Sequence, residues 1–285
     1  MTAPITPQQP YWPGTATPGG GYVSPIPVRQ ATLGDAVKAE WTKIRSLRST
    51  MWTLGAMLAV VIGIGTLVAL VLASRSDSGS IKNGSALDLG FIGVLLGMIP
   101  VLTLGVLTLS SEYGTGLIRT TLTACPSRTR VLAAKAIVYF ALTFVTTLAA
   151  TLLVAVIDQG ALSEYTHYRN SAGDWLGATA GVSLYLSLLG LLSLGVGGML
   201  RHSAGAITTV LGVVLLPLIL AMFLSAFGGL ASKLLEYSVP AQLSSFYPGA
   251  NGPGGPGAWL SLLIVAVLTA ASLAGAHLLM TRRDA

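Results

Sequence analysis

The chain has 285 residues, of which 53% are hydrophobic and only 9% charged, against about 25% charged in an ordinary soluble domain. No soluble core absorbs that much apolar sequence, so the length is better divided by the roughly 20 apolar residues that cross a bilayer than by domain size. The net charge of +6 reports membrane topology and not nucleic acid, because the basic residues lie between apolar stretches and are not interleaved with aromatics on one polar module.

Residues 1–30 carry Pro, Gly, Gln and Thr with few aliphatics, including Pro10, Pro13, Pro18 and the run Gly19-Gly20-Gly21. That composition predicts a disordered cytoplasmic tail. It does not read as a secretory signal, since no short apolar stretch with a small-residue cleavage site follows a basic start. Residues 31–285 then form a single membrane domain.

From Thr32 to Thr50 the residues Leu33, Val37, Trp41, Ile44 and Leu47 recur at helical steps, interrupted by Lys38, Lys43, Arg45 and Arg48. Thr32 with Asp35 three residues on resembles a capping box. The pattern predicts a basic amphipathic helix at the membrane interface, either a functional element or a plain juxtamembrane anchor.

Six apolar stretches follow, at Trp52 to Ala73, Leu89 to Ser110, Ala136 to Ile157, Leu176 to Leu200, Gly205 to Leu230 and Ala258 to Met280. Each is long enough to span roughly 30 Å. The connections alternate in charge. Arg29, Lys38, Lys43, Arg45 and Arg48 precede the first span; Arg119, Arg128, Arg130 and Lys135 separate the second and third; Arg201 separates the fourth and fifth; Arg282 and Arg283 follow the sixth. The other loops hold only Arg75, Lys82, Arg169 and Lys233, and carry Asp77, Asp88, Asp158, Glu164, Asp174 and Glu236. The positive-inside rule then places both termini in the cytoplasm and the chain as a multi-pass protein of the cell membrane. Residues 231–257 predict a short surface or re-entrant helix and a loose Gly-Pro hairpin. The pairs Gly93/Gly97 and Gly177/Gly181 have the spacing that lets helices approach closely.

Sites for chemistry are scarce. The middle of each span lacks Asp, Glu, Lys and Arg, which argues against an ion-driven carrier. His277, near the end of the sixth span, reads as an interfacial residue. His167, His202 and His277 fall in three separate places and do not converge on a metal site or a catalytic triad. The single cysteine, Cys125, reads as a free thiol on a cytoplasmic loop. No G-x-x-x-x-G-K-[ST] sequence occurs, so no nucleotide is bound in that manner. The cluster Gly195, Gly197, Gly198 lies inside an apolar span and reads as packing. No cofactor, metal or catalytic residue is expected, and the chain reads as no enzyme.

The most informative segment runs from Ser111 to Leu122 and on through Pro126 to the basic stretch Arg128 to Lys135. Leu117, Ile118, Thr121 and Leu122 predict one apolar face of a two-turn helix starting near Thr115 and ended by Pro126. Such a helix docks on the membrane surface, on the chain's own basic helix, or in the groove of a soluble partner. Glu112, at a span end, either pairs with a nearby Arg or Lys or is a simple helix-end carboxylate.

The run Glu112-Tyr113-Gly114-Thr115-Gly116-Leu117-Ile118-Arg119-Thr120-Thr121-Leu122, with Arg128, Arg130, Val131, Leu132 and Lys135 behind it, resembles the ABC-2 type permease family between its second and third spans. The stretch Glu40-Trp41-Thr42-Lys43-Ile44-Arg45-Ser46-Leu47-Arg48-Ser49 is similar to that family's connecting helix, and the likeness covers Thr32 to Met280. The resemblance implies a permease subunit of an ABC exporter, paired with a second permease copy and driven by a separate ABC ATPase subunit. Glu112, Gly114, Thr115, Gly116, Leu117, Ile118, Arg119, Thr121 and Leu122 would then form the coupling region. Lys38, Trp41, Lys43, Ile44, Arg45 and Arg48 would belong to the connecting helix. The apolar span interiors favour an amphipathic or hydrophobic cargo. The competing reading is a non-transport membrane protein, an assembly or immunity factor, that binds a partner through the same loop.

Overall fold

The computed structural model describes residues 31–74, 84–224, 228–249 and 255–282. The expected tail over residues 1–30, Arg75, Asp77, Lys82, Arg283 and the first half of the Gly-Pro run lie outside the described residues. Every regular element among the described residues is helical. In chain order these are α1 (Leu33–Ser46), α2 (Arg48–Ser74), α3 (Gly90–Thr115), α4 (Leu117–Ala124), α5 (Arg128–Leu162), α6 (Ala172–Leu176), α7 (Val182–Leu200), α8 (Ser203–Phe223), α9 (Gly228–Glu236), α10 (Val239–Ser244) and α11 (Ala258–Arg282). A 3-10 turn at Ala86–Leu89 leads into α3, and a π turn at Gly177–Gly181 joins α6 to α7 without a break. Six of these helical runs are long and apolar enough to cross a membrane: Arg48–Ser74, Ala86–Thr115, Arg128–Leu162, Ala172–Leu200, Ser203–Phe223 and Ala258–Arg282. The chain is therefore an all-α, multi-pass membrane protein.

The second and fourth spans form the centre, and the first, fifth and sixth lie at the periphery. In lipid, apolar side chains gain little by leaving the bilayer, so helices associate through close packing of small residues. A Cβ added at Gly93 would lie 2.6 Å from the Val61 carbonyl oxygen of α2, and Gly97 abuts the Val61 side chain. Gly105 meets the Gly190 carbonyl, and a Cβ at Gly197 would lie 2.7 Å from that of Val106, so α3 and α7 approach backbone to backbone. The glycine cluster of the fourth span is thus packing surface, as its apolar setting suggested.

Several polar side chains inside the bundle are satisfied by backbone carbonyls. Thr143, Thr147 and Thr151 each donate to the carbonyl four residues back, at 2.8, 2.6 and 2.9 Å, and the Tyr139 hydroxyl donates to the Val101 carbonyl at 2.7 Å. Such pairing avoids the cost of a buried polar group left without a partner.

The span ends sort into two sets. At one end Arg128 donates to the Met280 carbonyl, Arg201 stacks 4.6 Å above the Tyr113 ring, and Ser110 and Ser203 share a hydrogen bond of 2.9 Å. At the other, Ser85 donates to Asn170 at 2.6 Å, and Asp88 accepts from the Gly249 amide at 3.1 Å. The first set contains α1, α4, the Arg201 turn and the end of α11, and we call it the basic end.

Several boundaries differ from the sequence reading. The helix expected from Thr32 to Thr50 is two helices. Thr32 and Asp35 do form both halves of the capping box, but α1 stops at Ser46, Leu47 is extended, and Arg48 opens α2. Arg48 is therefore the first residue of a spanning helix. The third span is longer at both ends than Ala136 to Ile157, which draws Lys135 and Asp158 into α5. The fifth span ends at Phe223, short of Leu230. Gly177 and Gly181 pack against Phe246 of the segment between the last two spans. That segment holds two short helices, α9 and α10, followed by buried Phe246 and Tyr247.

Candidate functional site

At the basic end α3 does not stop with its apolar sequence at Ser110. It runs on to Thr115, which puts Glu112, Gly114 and Thr115 on its last turn and a half. Gly116 then adopts the left-handed conformation at φ 74°, which glycine reaches without a Cβ penalty. The turn it makes launches α4 at a new angle. Pro126 cannot continue a helix and biases the residue before it toward extended backbone. Accordingly α4 closes at Ala124, with Cys125 extended and its amide donating to Thr121 O at 2.9 Å. The Ser127 side chain caps the start of α5.

Helix α1 lies across this junction and packs chiefly on α5. It does so through a charge cluster with alternating signs. Lys135 Nζ donates to Glu40 Oε2 at 2.8 Å and to Glu112 Oε1 at 2.6 Å. Lys43 Nζ donates to Glu40 Oε1 at 3.0 Å and to Glu112 Oε1 at 2.5 Å. Three of the four are buried and Lys43 is partly exposed; Lys135 retains 1% of its surface. The cluster sums to zero charge, and each short ion pair is a charge-assisted hydrogen bond, stronger than a neutral one. It joins three elements far apart in sequence: α1, the end of α3 and the start of α5. Burial alone would lower the Lys43 pKa, but hydrogen bonds and charge from Glu112 and Glu40 outweigh it and hold the ammonium above its ordinary value.

The expected apolar face of α4 is divided. Ile118 is buried and Leu122 packs against the core cluster, so both serve the chain's own interior. Leu117 is 51% exposed, and Arg119, Thr120 and Thr123 are exposed beside it. Thr121 donates to the Leu117 carbonyl at 3.1 Å, and Thr115 to that of Ser111 at 2.8 Å. On α1, Ile44 is buried beside Glu40, while Lys38, Trp41 and Arg45 are exposed. Cys125 is a free thiol, but buried and not open to solvent.

Two residues of the cluster carried no separate weight in the sequence. Glu40 reads as one more charge on a basic helix. Its signal is position: it lies four residues before buried Ile44, on the face that meets α5. Lys135 reads as loop charge until α5 is seen to start at Arg128. Asp158 reads from the sequence as an outer-loop residue, yet it is fully buried in α5. Among the described residues neither of its carboxyl oxygens has a hydrogen-bond partner.

Among the described residues no group of three or more His, Cys, Asp and Glu could hold a metal. His202 caps α8 by accepting from the Gly205 amide at 3.0 Å. The basic end presents a partly exposed helix after a glycine turn, adjoining two spans that a buried charge cluster ties to a third helix. Compared with models of known protein families and with curated proteins, the sequence gives no match.

Proposed function

We propose that this chain is the membrane-spanning permease subunit of an ABC exporter. ATP would be hydrolysed by a separate ATPase subunit, with α4 as coupling helix and α1 as connecting helix. The observation that carries the reading is the cluster of Glu40, Lys43, Glu112 and Lys135. A push on α4 reaches the spans only if the α3–α4–α5 junction moves as a unit, and these pairs bind that junction to α1. The motif order quoted above supports the same assignment. The basic end faces the cytoplasm on this reading, as the charge bias of the loops favours. A second permease copy would complete the path in the cell membrane for an amphipathic or hydrophobic cargo.

The division of α4 sharpens the test. Leu122→Asp would damage the chain's own core, whereas Leu117→Asp changes an exposed side chain. Purified in mild detergent from its native cells, the wild-type chain should bring down a Walker-sequence ATPase. Leu117→Asp should lose that ATPase while melting like wild type. Recovery of a partner with no ATPase signature would favour the assembly or immunity factor instead.

A further inference from the structure

Between α1, the start of α2, the end of α3 and the first residue of α4 lies an open groove of about 540 Å³, within the range of about 300–1,000 Å³ for small-molecule sites. Its walls include Ile44 and Leu47 on one side and Leu104, Leu107 and Leu117 on the other. Glu40, Lys43 and Glu112 line it as well, but as members of the ion-pair cluster they are already matched to one another, and four of the lining hydroxyls are engaged within their helices. Thr53, Thr108, Ser111 and Thr115 each donate their hydroxyl to the carbonyl four residues back, at 2.8, 2.7, 2.5 and 2.8 Å. Each hydroxyl's single donor is thereby used within its own helix, so these residues have no free O–H to offer a phosphate or other anion.

Depth identifies the occupant. From Ser111 to Leu104 the groove follows α3 for seven residues, roughly 10 Å along the helix axis and into the apolar span. Thr50 and Thr53 line it from inside the first span. A soluble protein docked at α4 does not reach that level, but an acyl chain does. Charge identifies the headgroup. Glu40, Lys43 and Glu112 line the groove and with Lys135 form a neutral cluster, whereas Arg45 and Arg48, next in sequence to the lining residues Ile44 and Leu47, are exposed. An acyl chain gains no hydrophobic energy in moving from bilayer to groove, so residence there requires a headgroup interaction.

We infer that this groove is a site for an anionic phospholipid, its acyl chain along Leu104 and Leu107 and its phosphate at Arg45 and Arg48. The inference is independent of whether the chain works as a permease. The probes are phosphatidylglycerol and phosphatidylcholine, offered in equal amounts to the full-length chain, with retained lipid counted by native mass spectrometry. The wild-type chain should hold one phosphatidylglycerol through extended detergent washing. Leu107→Trp and Thr53→Trp, which fill the groove from opposite walls, should each lose it, and whichever of the two folds is sufficient. Leu263→Trp, on the exposed face of the last span, should keep it. Arg48→Gln should keep a lipid but reduce the preference for the anionic headgroup roughly fivefold, the worth of one basic side chain near an anionic surface. Three results would overturn the site. They are no retained lipid, retention unchanged in the groove-filling variants, or a groove occupied by a second copy, seen as a dimer that Leu107→Trp dissociates. Equal retention of the two lipids by the wild-type chain would overturn the headgroup assignment.

Discussion

Replacing Lys135 by Met keeps the length of the side chain and removes its charge. Lys135 is the hinge of the cluster, since it is buried and contacts both carboxylates, at 2.8 and 2.6 Å. After the substitution Lys43 alone faces Glu40 and Glu112, leaving one buried negative charge without a counter-charge. Removing one partner of a buried ion pair costs about 3–5 kcal/mol. At about 2–4 °C per kcal/mol for a domain of this size, the melting temperature should fall by about 10 °C. The chain carries its own reporter: Cys125 is its single cysteine and is buried, so a thiol-reactive dye in detergent follows unfolding directly. Lys43→Met should cost less, because 30% of the Lys43 side chain is exposed and water compensates in part. Adding Glu112→Gln to Lys135→Met should restore most of the loss. A Lys135→Met protein that melts within about 2 °C of wild type, near the effect of an ordinary surface substitution, would refute the view that the cluster binds this junction.

The pH dependence of the cluster has a definite sign. The Lys43 pKa is raised above its ordinary 10.5 by Glu112 and Glu40 despite burial, so its contribution is complete below pH 10.5 and is lost as pH rises through the higher folded value. Alkaline melts of wild type should therefore fall more steeply above pH 10.5 than those of Lys43→Met. Gly116→Ala places a Cβ in open space but in the left-handed conformation; it should cost about 1 kcal/mol and loosen α4, read as faster labelling of Cys125. Asp158→Asn removes a buried carboxyl that has no partner among the described residues, so the variant should melt no lower than wild type. A drop of several degrees would show that the carboxyl binds something essential.

The six spans and the sorting of basic loops to one end were legible in the sequence because both follow from composition, which the bilayer enforces along each span. Glu112 was conspicuous as a carboxylate at a span end, but the sequence left open whether it pairs with a base or simply ends the helix. Its partners were not legible, since Lys43 and Lys135 meet it only through the crossing of α1 over α5. The Leu47 break escaped the periodicity because Leu47 itself fits the apolar repeat. The divided face of α4 escaped for a related reason: spacing reports which residues share a face, not which protein covers it. Asp158 was misplaced because an acidic residue after an apolar run ordinarily ends a span, and only the packing of α5 shows the helix continuing past it.

The assignment of α4 as the coupling surface is tested most directly by a photo-crosslinking amino acid at position 117, introduced into the chain in its native cells. The account predicts a protein adduct with a Walker-sequence ATPase, whether or not lipid from the adjoining groove is also captured, that disappears when the crosslinker is moved to the buried position 118. An adduct with lipid alone, or with a protein that has no nucleotide-binding sequence, would contradict it.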